Sequence, residues 1–325
     1  MTTSLLIFGL ALLLAGGTAL VSGASRVAIQ FGVPPLVIGL TILAFGTSSP
    51  ELVVNLVGAV RNETTLAFGN IAGSNLANLG LILGVSALAR PVGIEGSIVR
   101  RELPLLLLGT VALLIMMLDR PLLGEPALLS RPDALLLLLL FGVFVYVTII
   151  DLLDRRQDAL IANVLEMEDN LPPRPAVPLP GAIGLIIGGI VGLALGGHLT
   201  IVHGADLAES LGVSPVIIGM LIVGVGTSLP ELVTSVIAAL RRESDLCVGN
   251  LVGSNIFNGL FILPVSALVR PLPIPPGGVL DIFMSLLFAA VIIPVFLFGR
   301  ARMDRKIGFA FILVYVGYMS QRALG

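Results

Sequence analysis

The stretch 33–91 is written twice in this chain. Shifted by 180 residues without a gap, it aligns with 213–271, and 30 of the 59 positions are identical. The match includes VPPLVIG against VSPVIIG, GNIAGSN against GNLVGSN, and SALARP against SALVRP. Gly16-Gly17 and Gly196-Gly197 extend the repeat to the segment before each core. Self-similarity of this kind makes each half one structural unit, so the fold must be solved by two copies packing together.

Composition says what kind of unit this is. Hydrophobic residues make up 56% of the 325 and charged residues only 12%, with a mean hydropathy of +1.08; soluble domains carry about 25% charged residues. Apolar segments of about the 20 residues needed for a span recur near 3–23, 35–60, 65–89, 102–118, 133–152, 180–202, 213–240, 247–269, 279–299 and 306–323. The chain is therefore expected to be an all-α, polytopic membrane protein of ten transmembrane helices. The division expected is a first five-helix repeat at 1–152, a cytoplasmic linker at 153–179 and a second five-helix repeat at 180–325. The linker holds Asp154, Arg155, Arg156, Asp158, Glu166, Glu168 and Asp169, then LPPRPAVPLP, where proline blocks a continuous helix. Its acidic cluster reads as a solvated loop.

Five spans is an odd number, so the second repeat enters the membrane from the opposite side. Inverted repeats of this type place the substrate site near the midplane at the repeat interface. With both termini outside, 13 of the 18 basic residues fall on the cytoplasmic side, as the positive-inside rule requires. Residues 5–21 are apolar but no Lys or Arg precedes them, so they read as a retained first helix rather than a signal peptide. A net charge of −2 argues against a nucleic-acid partner. Cys247, the one cysteine, excludes an internal disulfide framework. The sequence has no HExxH and no paired intramembrane aspartates, so an enzyme is not expected. Nor does it point to a cofactor or to an obligate protein partner.

The repeated phrases GTSSPE (46–51) and GTSLPE (226–231) put Glu51 and Glu231 inside apolar segments. A carboxylate at bilayer depth costs roughly 2.5–3.5 kcal/mol on insertion scales. Pro50 and Pro230 break their helices, and carbonyls near Ala44, Phe45 and Thr47 are expected to turn inward. Thr47 and Glu51 are four apart on one helical face, and Thr227, Ser228 and Glu231 repeat the set of Thr47, Ser48 and Glu51. Hydroxyl, carbonyl and carboxylate oxygens are hard donors that suit calcium or sodium; zinc and copper, which favour His and Cys, are poorly served. The competing reading is a buried pair of glutamates held neutral by protonation.

A second repeated phrase, GNIAGSNLAN (69–78) and GNLVGSNIFN (249–258), supplies Ser74, Asn78, Ser254 and Asn258, with Gly73 and Gly253 expected to admit a close helix. Asn70, Asn75, Asn250 and Asn255 suit capping, packing or function equally. His198 and His203 have no mates in the other half and read as interfacial. The arrangement fits a cation antiporter or, in another class, a cation channel.

The paired GTSxPE phrases, each followed by GNxxGSNxxN, resemble the alpha repeats of the cation/calcium exchanger superfamily, and the prokaryotic sodium/calcium exchanger branch in particular. The resemblance implies a secondary antiporter that exchanges Ca2+ for Na+ by alternating access; a proton/calcium exchanger using the same glutamates is the alternative. It implies a prokaryotic inner-membrane location. It assigns calcium to Glu51 and Glu231, with backbone oxygens of Thr47 and Thr227. It assigns sodium to Ser48, Ser228, Ser74, Ser254, Asn78 and Asn258, and to backbone oxygens at Ala44 and its repeat mate Gly224. Some members carry aspartate where this chain has Asn258.

Overall fold

A computed structural model describes residues 2–118, 124, 127–166, 178–211, 226–299 and 301–324. Nearly all of them are helical. Helix α1 runs Thr2–Phe31. A bent pair follows, α2 (Pro35–Thr47) and α3 (Ser49–Val60). Then come α4 (Thr64–Ala89), α5 (Leu103–Met116) and α6 (Arg131–Glu166). The second half contains α7 (Leu179–Ser210), α8 (Leu229–Leu240), α9 (Ser244–Val269), α10 (Gly278–Phe298) and α11 (Arg305–Leu324). Among the described residues, six helices are long and apolar enough to cross a membrane, or seven if the bent pair is one span.

The bend between α2 and α3 measures 46° and follows from the GTSSPE phrase. Ser48 leaves the helical region at φ −85°, ψ 4°, and Pro50 falls in the first turn of α3, where its missing N–H is tolerated. Proline thus opens the second helix rather than kinking the interior of one. The carbonyl that Pro50 cannot serve is that of Gly46, and the Ser49 hydroxyl donates to it at 2.5 Å. The Ala44 carbonyl is not freed by the break: it accepts the Ser48 N–H at 3.0 Å and, weakly, the Thr47 hydroxyl at 3.5 Å. In the second half Pro230 opens α8 in the same way. Gly224 lies outside the described residues, as does the rest of 212–225.

Burial sorts the helices into layers. The most apolar windows of α4 and α9 are each 78% buried, against 33% for α1 and α7 and 11% for α6. The two GSN helices therefore form the centre. Around them, α1 and α7 cross as an antiparallel pair at close range. A Cβ on Gly16 would sit 2.7 Å from the Leu193 nitrogen, and one on Gly189 2.6 Å from the Leu20 nitrogen. Only glycine permits backbones to approach so closely. The expected close approach at Gly253 is present, with the Leu40 carbonyl 2.7 Å from its Cβ position; nothing among the described residues lies within 4 Å of that position at Gly73. The repeat mate of Leu40 is Met220, which lies outside the described residues.

Two short ladders tie the halves together. β1 (Val92–Gly93) pairs with β4 (Arg302–Met303), in register Val92 with Met303. β2 (Leu128–Leu129) pairs with β3 (Leu272–Pro273), in register Leu129 with Leu272. In each ladder one strand comes from each half. Helix α6 continues to Glu166, inside the stretch expected to be a linker; residues 167–177 lie outside the described set.

Candidate cation site

Each glutamate occupies the first turn of the helix that follows a break, Glu51 in α3 and Glu231 in α8. Both are 0% exposed, as are Thr47, Ser48, Ser74, Asn78, Ser228, Ser254 and Asn258. The Ser48 hydroxyl crosses the repeat interface and donates to Glu231 Oε1 at 3.0 Å. Its repeat mate Ser228 instead donates to Ser74 Oγ at 3.0 Å. Ser74 also accepts a longer contact of 3.4 Å from Asn258 Nδ2. Thr47 Oγ1 lies 3.5 Å from Ser254 Oγ. Residues from α2, α3, α4, α8 and α9 thus share one buried polar network at the centre of the molecule.

Asparagines surround it in matched pairs. Thr47 Oγ1 donates to Asn250 Oδ1 at 3.2 Å, and Thr227 Oγ1 donates to Asn70 Oδ1 at 3.1 Å. Asn250 Nδ2 then donates to Ser235 Oγ, and Asn70 Nδ2 to Asn55 Oδ1, both at 3.0 Å. Asn55 and Ser235 do not stand out in the sequence. Each lies one turn after a glutamate, at i+4 on the same face, which is the signal that identifies them. Nearer the middle, Asn78 Nδ2 donates to Asn255 Oδ1 and Asn258 Nδ2 to Asn75 Oδ1, both at 3.0 Å. Asn78 and Asn258 lie in π-helical turns at Ala77–Ile82 and Asn258–Ile262, a distortion that recurs at functional sites.

The network leaves a specific set of atoms over. Both carboxylate oxygens of Glu51, Oε2 of Glu231, and Oδ1 of Asn78 and of Asn258 are buried with no hydrogen-bond partner among the described residues. All five are acceptors; Asn55 Nδ2, a donor, and Thr234 Oγ1 are buried without a partner among the described residues as well. Buried acceptors are normally satisfied, and a cation satisfies several at once. Two carboxylates supply two negative charges, which one divalent ion neutralises. The donors gathered here are carboxylate, amide and hydroxyl oxygens, which are hard ligands. His203 pairs with Asp206 at 3.3 Å in a part of α7 outside this cluster.

The two halves are not equivalent. Thr47 and Asn250 are 0% exposed, whereas their repeat mates Thr227 and Asn70 are half-buried. Thr227 and Asn70 lie beside 212–225, which are outside the described residues. Of the residues assigned to calcium or sodium from the sequence, every described one except Ala44 contributes a side chain to this polar region or its rim. Ala44 enters only through its carbonyl.

The architecture has close counterparts. The sodium-calcium exchanger NCX_Mj, soaked with zero Na+ and Ca2+, matches this structure with a TM-score of 0.80 at 26% identity, over 98% of each chain. The protein CaxA of Alkalimonas amylolytica is 32% identical over 326 residues, 97% of this chain and 97% of its own. The inner membrane protein YrbG of Escherichia coli (strain K12) is 33% identical over 306 residues, covering 93% of this chain and 90% of its own. The sodium/calcium exchanger protein family matches residues 1–150 and 181–322, skipping the polar stretch between the halves. With both glutamate helices, both GSN helices and the outer α1–α7 pair inside that match, the chain belongs to the sodium/calcium exchanger family.

Proposed function

We propose that this protein is a membrane antiporter that exchanges Ca2+ for Na+ at the cluster around Glu51 and Glu231. The observation that carries the reading is the set of five buried acceptor oxygens, contributed by both halves, that have no hydrogen-bond partner among the described residues. Calcium takes six to eight oxygens in flexible geometry, and serine hydroxyls and backbone carbonyls complete such a shell. Glu51 and Glu231, with Thr47 and Thr227, would hold the divalent ion. Ser48, Ser228, Ser74, Ser254, Asn78, Asn258, Ala44 and Gly224 would serve sodium. A bare carboxylate pair in a low-dielectric centre is strongly self-repelling, so the site favours being loaded with cations of either kind. That is the condition for exchange rather than leak.

Alternating access has a mechanical basis in α7. The Cβ position of Gly46, in the first break, is 2.8 Å from Ile190 Cδ1, and that of Gly226, before the second, is 2.5 Å from Ile201 Cγ1. One helix thus touches both breaks, at points on one face three turns, about 16 Å, apart. Movement of the α1–α7 pair would cover one break while uncovering the other. We further propose ten spans in two inverted halves, 1–152 and 180–325, joined at 153–179, with both termini outside a prokaryotic inner membrane.

The test is calcium-45 uptake into vesicles loaded with sodium, potassium or acid. Uptake driven only by internal sodium is the expected result. Uptake driven by an acid interior would assign proton coupling, and uptake that needs no opposing gradient would mark a channel.

A further inference from the structure

We propose that Asn75 and Asn255 are positioning residues that fix which face of Asn78 and Asn258 is turned toward the transported cation; this rests on the exchanger reading above. A side-chain amide has two unlike ends, an oxygen that accepts and an NH2 that only donates. An asparagine serves a cation with the first and repels it with the second. A rotation of the terminal amide exchanges them, so a site built on amides needs something that decides between the two.

The hydrogen bonds leave one arrangement. Asn255 Nδ2 donates to the main-chain carbonyl of Asn75 at 3.0 Å. A carbonyl accepts and cannot donate, so the NH2 end of Asn255 is committed there. Its Oδ1 end then accepts Asn78 Nδ2 at 3.0 Å. With its own NH2 so engaged, Asn78 is left with Oδ1 as its partnerless end. The other half repeats the logic. Asn75 Nδ2 points to the main-chain carbonyl of Asn255 at 3.4 Å, Asn75 Oδ1 accepts Asn258 Nδ2 at 3.0 Å, and Asn258 Oδ1 has no partner. Four amides and two carbonyls form a closed, two-fold set across α4 and α9. Asn78 and Asn258 are 0% exposed, Asn255 1% and Asn75 7%, so the set is shielded from bulk water.

Buried asparagines also hold membrane helices together, and that simpler role makes a different prediction. Glue between α4 and α9 affects stability whatever ion is present. Positioning acts on ion affinity, and through one partner only: Asn255 through Asn78, and Asn75 through Asn258.

The experiment uses the full chain with Asn255→Leu, Asn78→Leu and Asn258→Leu, singly and with Asn255→Leu added to each of the other two. Two readouts are taken: KM for Ca2+ in sodium-driven uptake, and the rise in thermal midpoint on adding Ca2+ in detergent. Unfolding is followed with a thiol-reactive dye on Cys247, the one cysteine, which is buried. Asn255→Leu is expected to raise KM by about tenfold, the effect of losing a charge-assisted contact, and to shrink the Ca2+-induced rise, which follows affinity. Added to Asn78→Leu it is expected to change KM by less than about twofold, whereas added to Asn258→Leu it multiplies. Asn255→Ala takes its place if the leucine protein is not recovered.

A lower Ca2+-free midpoint with KM and the Ca2+-induced rise both unchanged would overturn the proposal. So would equal multiplication on both backgrounds. Should the parent take up Ca2+ without sodium, the exchanger reading falls, yet the midpoint cycle still decides the positioning role.

Discussion

Glu51 and Glu231 occupy the same phrase and the same helical position, yet Glu231 receives the Ser48 hydroxyl at 3.0 Å, while neither oxygen of Glu51 has a partner at hydrogen-bond distance among the described residues. Glutamine keeps the shape of either side chain and removes its charge, and an exposed NH2 would then face the cation. Glu51→Gln and Glu231→Gln are each expected to lower sodium-driven calcium uptake about a hundredfold, the scale of losing one charge-assisted contact in a buried site. The thermal midpoint without calcium should stay level or rise, because a buried charge has been removed. Uptake within a few-fold of the parent in either variant would take that glutamate out of the site.

At the scale of elements, the α1–α7 contact is set by glycines one heptad apart, Gly9, Gly16 and Gly23 against Ala182, Gly189 and Gly196. Without side chains the two helices meet backbone to backbone, on a surface with little to interlock. Valine at Gly189 places branched carbon where the Leu20 nitrogen and Gly16 carbonyl already lie, 2.6 and 2.8 Å from the Cβ position. The helices must separate, at a cost of about 1–3 kcal/mol for overpacking. Gly189→Val is expected to lower the thermal midpoint by several degrees and to slow uptake more than it weakens calcium binding, since the pair moves but holds no ion. Unchanged turnover with raised KM would place the effect at the ion cluster instead.

For the whole molecule the decisive property is that the two halves interlock. Each short ladder joins a strand of one half to a strand of the other, and the polar network crosses the same interface. Helix α6 carries its own anchor: Arg101 bridges Glu102 at 2.8 Å and Asp151 at 2.6 Å, tying it to the start of α5. The ten-span proposal is checked by membrane-impermeant thiol labelling of Thr3→Cys, Asp169→Cys and Gln321→Cys. Thr3 and Gln321 should react from outside and Asp169 only from inside. Cys247 is buried and is expected to stay silent. Termini that label from opposite sides would exclude an even number of spans and with it the inverted pair of five-helix halves.

Local order was legible because the duplication writes it twice. GTSSPE dictates a break, since Pro50 has no N–H to give, and the break appears at Ser48. The apolar runs dictate helices, and the buried Glu, Ser and Asn positions stand out because such residues are costly in an apolar span. Identical phrases, however, carry no information about how two copies differ. That Ser48 bonds Glu231 while Ser228 bonds Ser74 depends on how the breaks of the two halves pack together. The amide ends of Asn78 and Asn258 are likewise chosen by partners 177 and 183 residues away. Composition, apolar helices and the buried polar positions belong to the sequence, because backbone chemistry and transfer energy act locally. Orientation, pairing and access belong to the tertiary structure, because a hydrogen bond is directional and its partner is supplied by the other half.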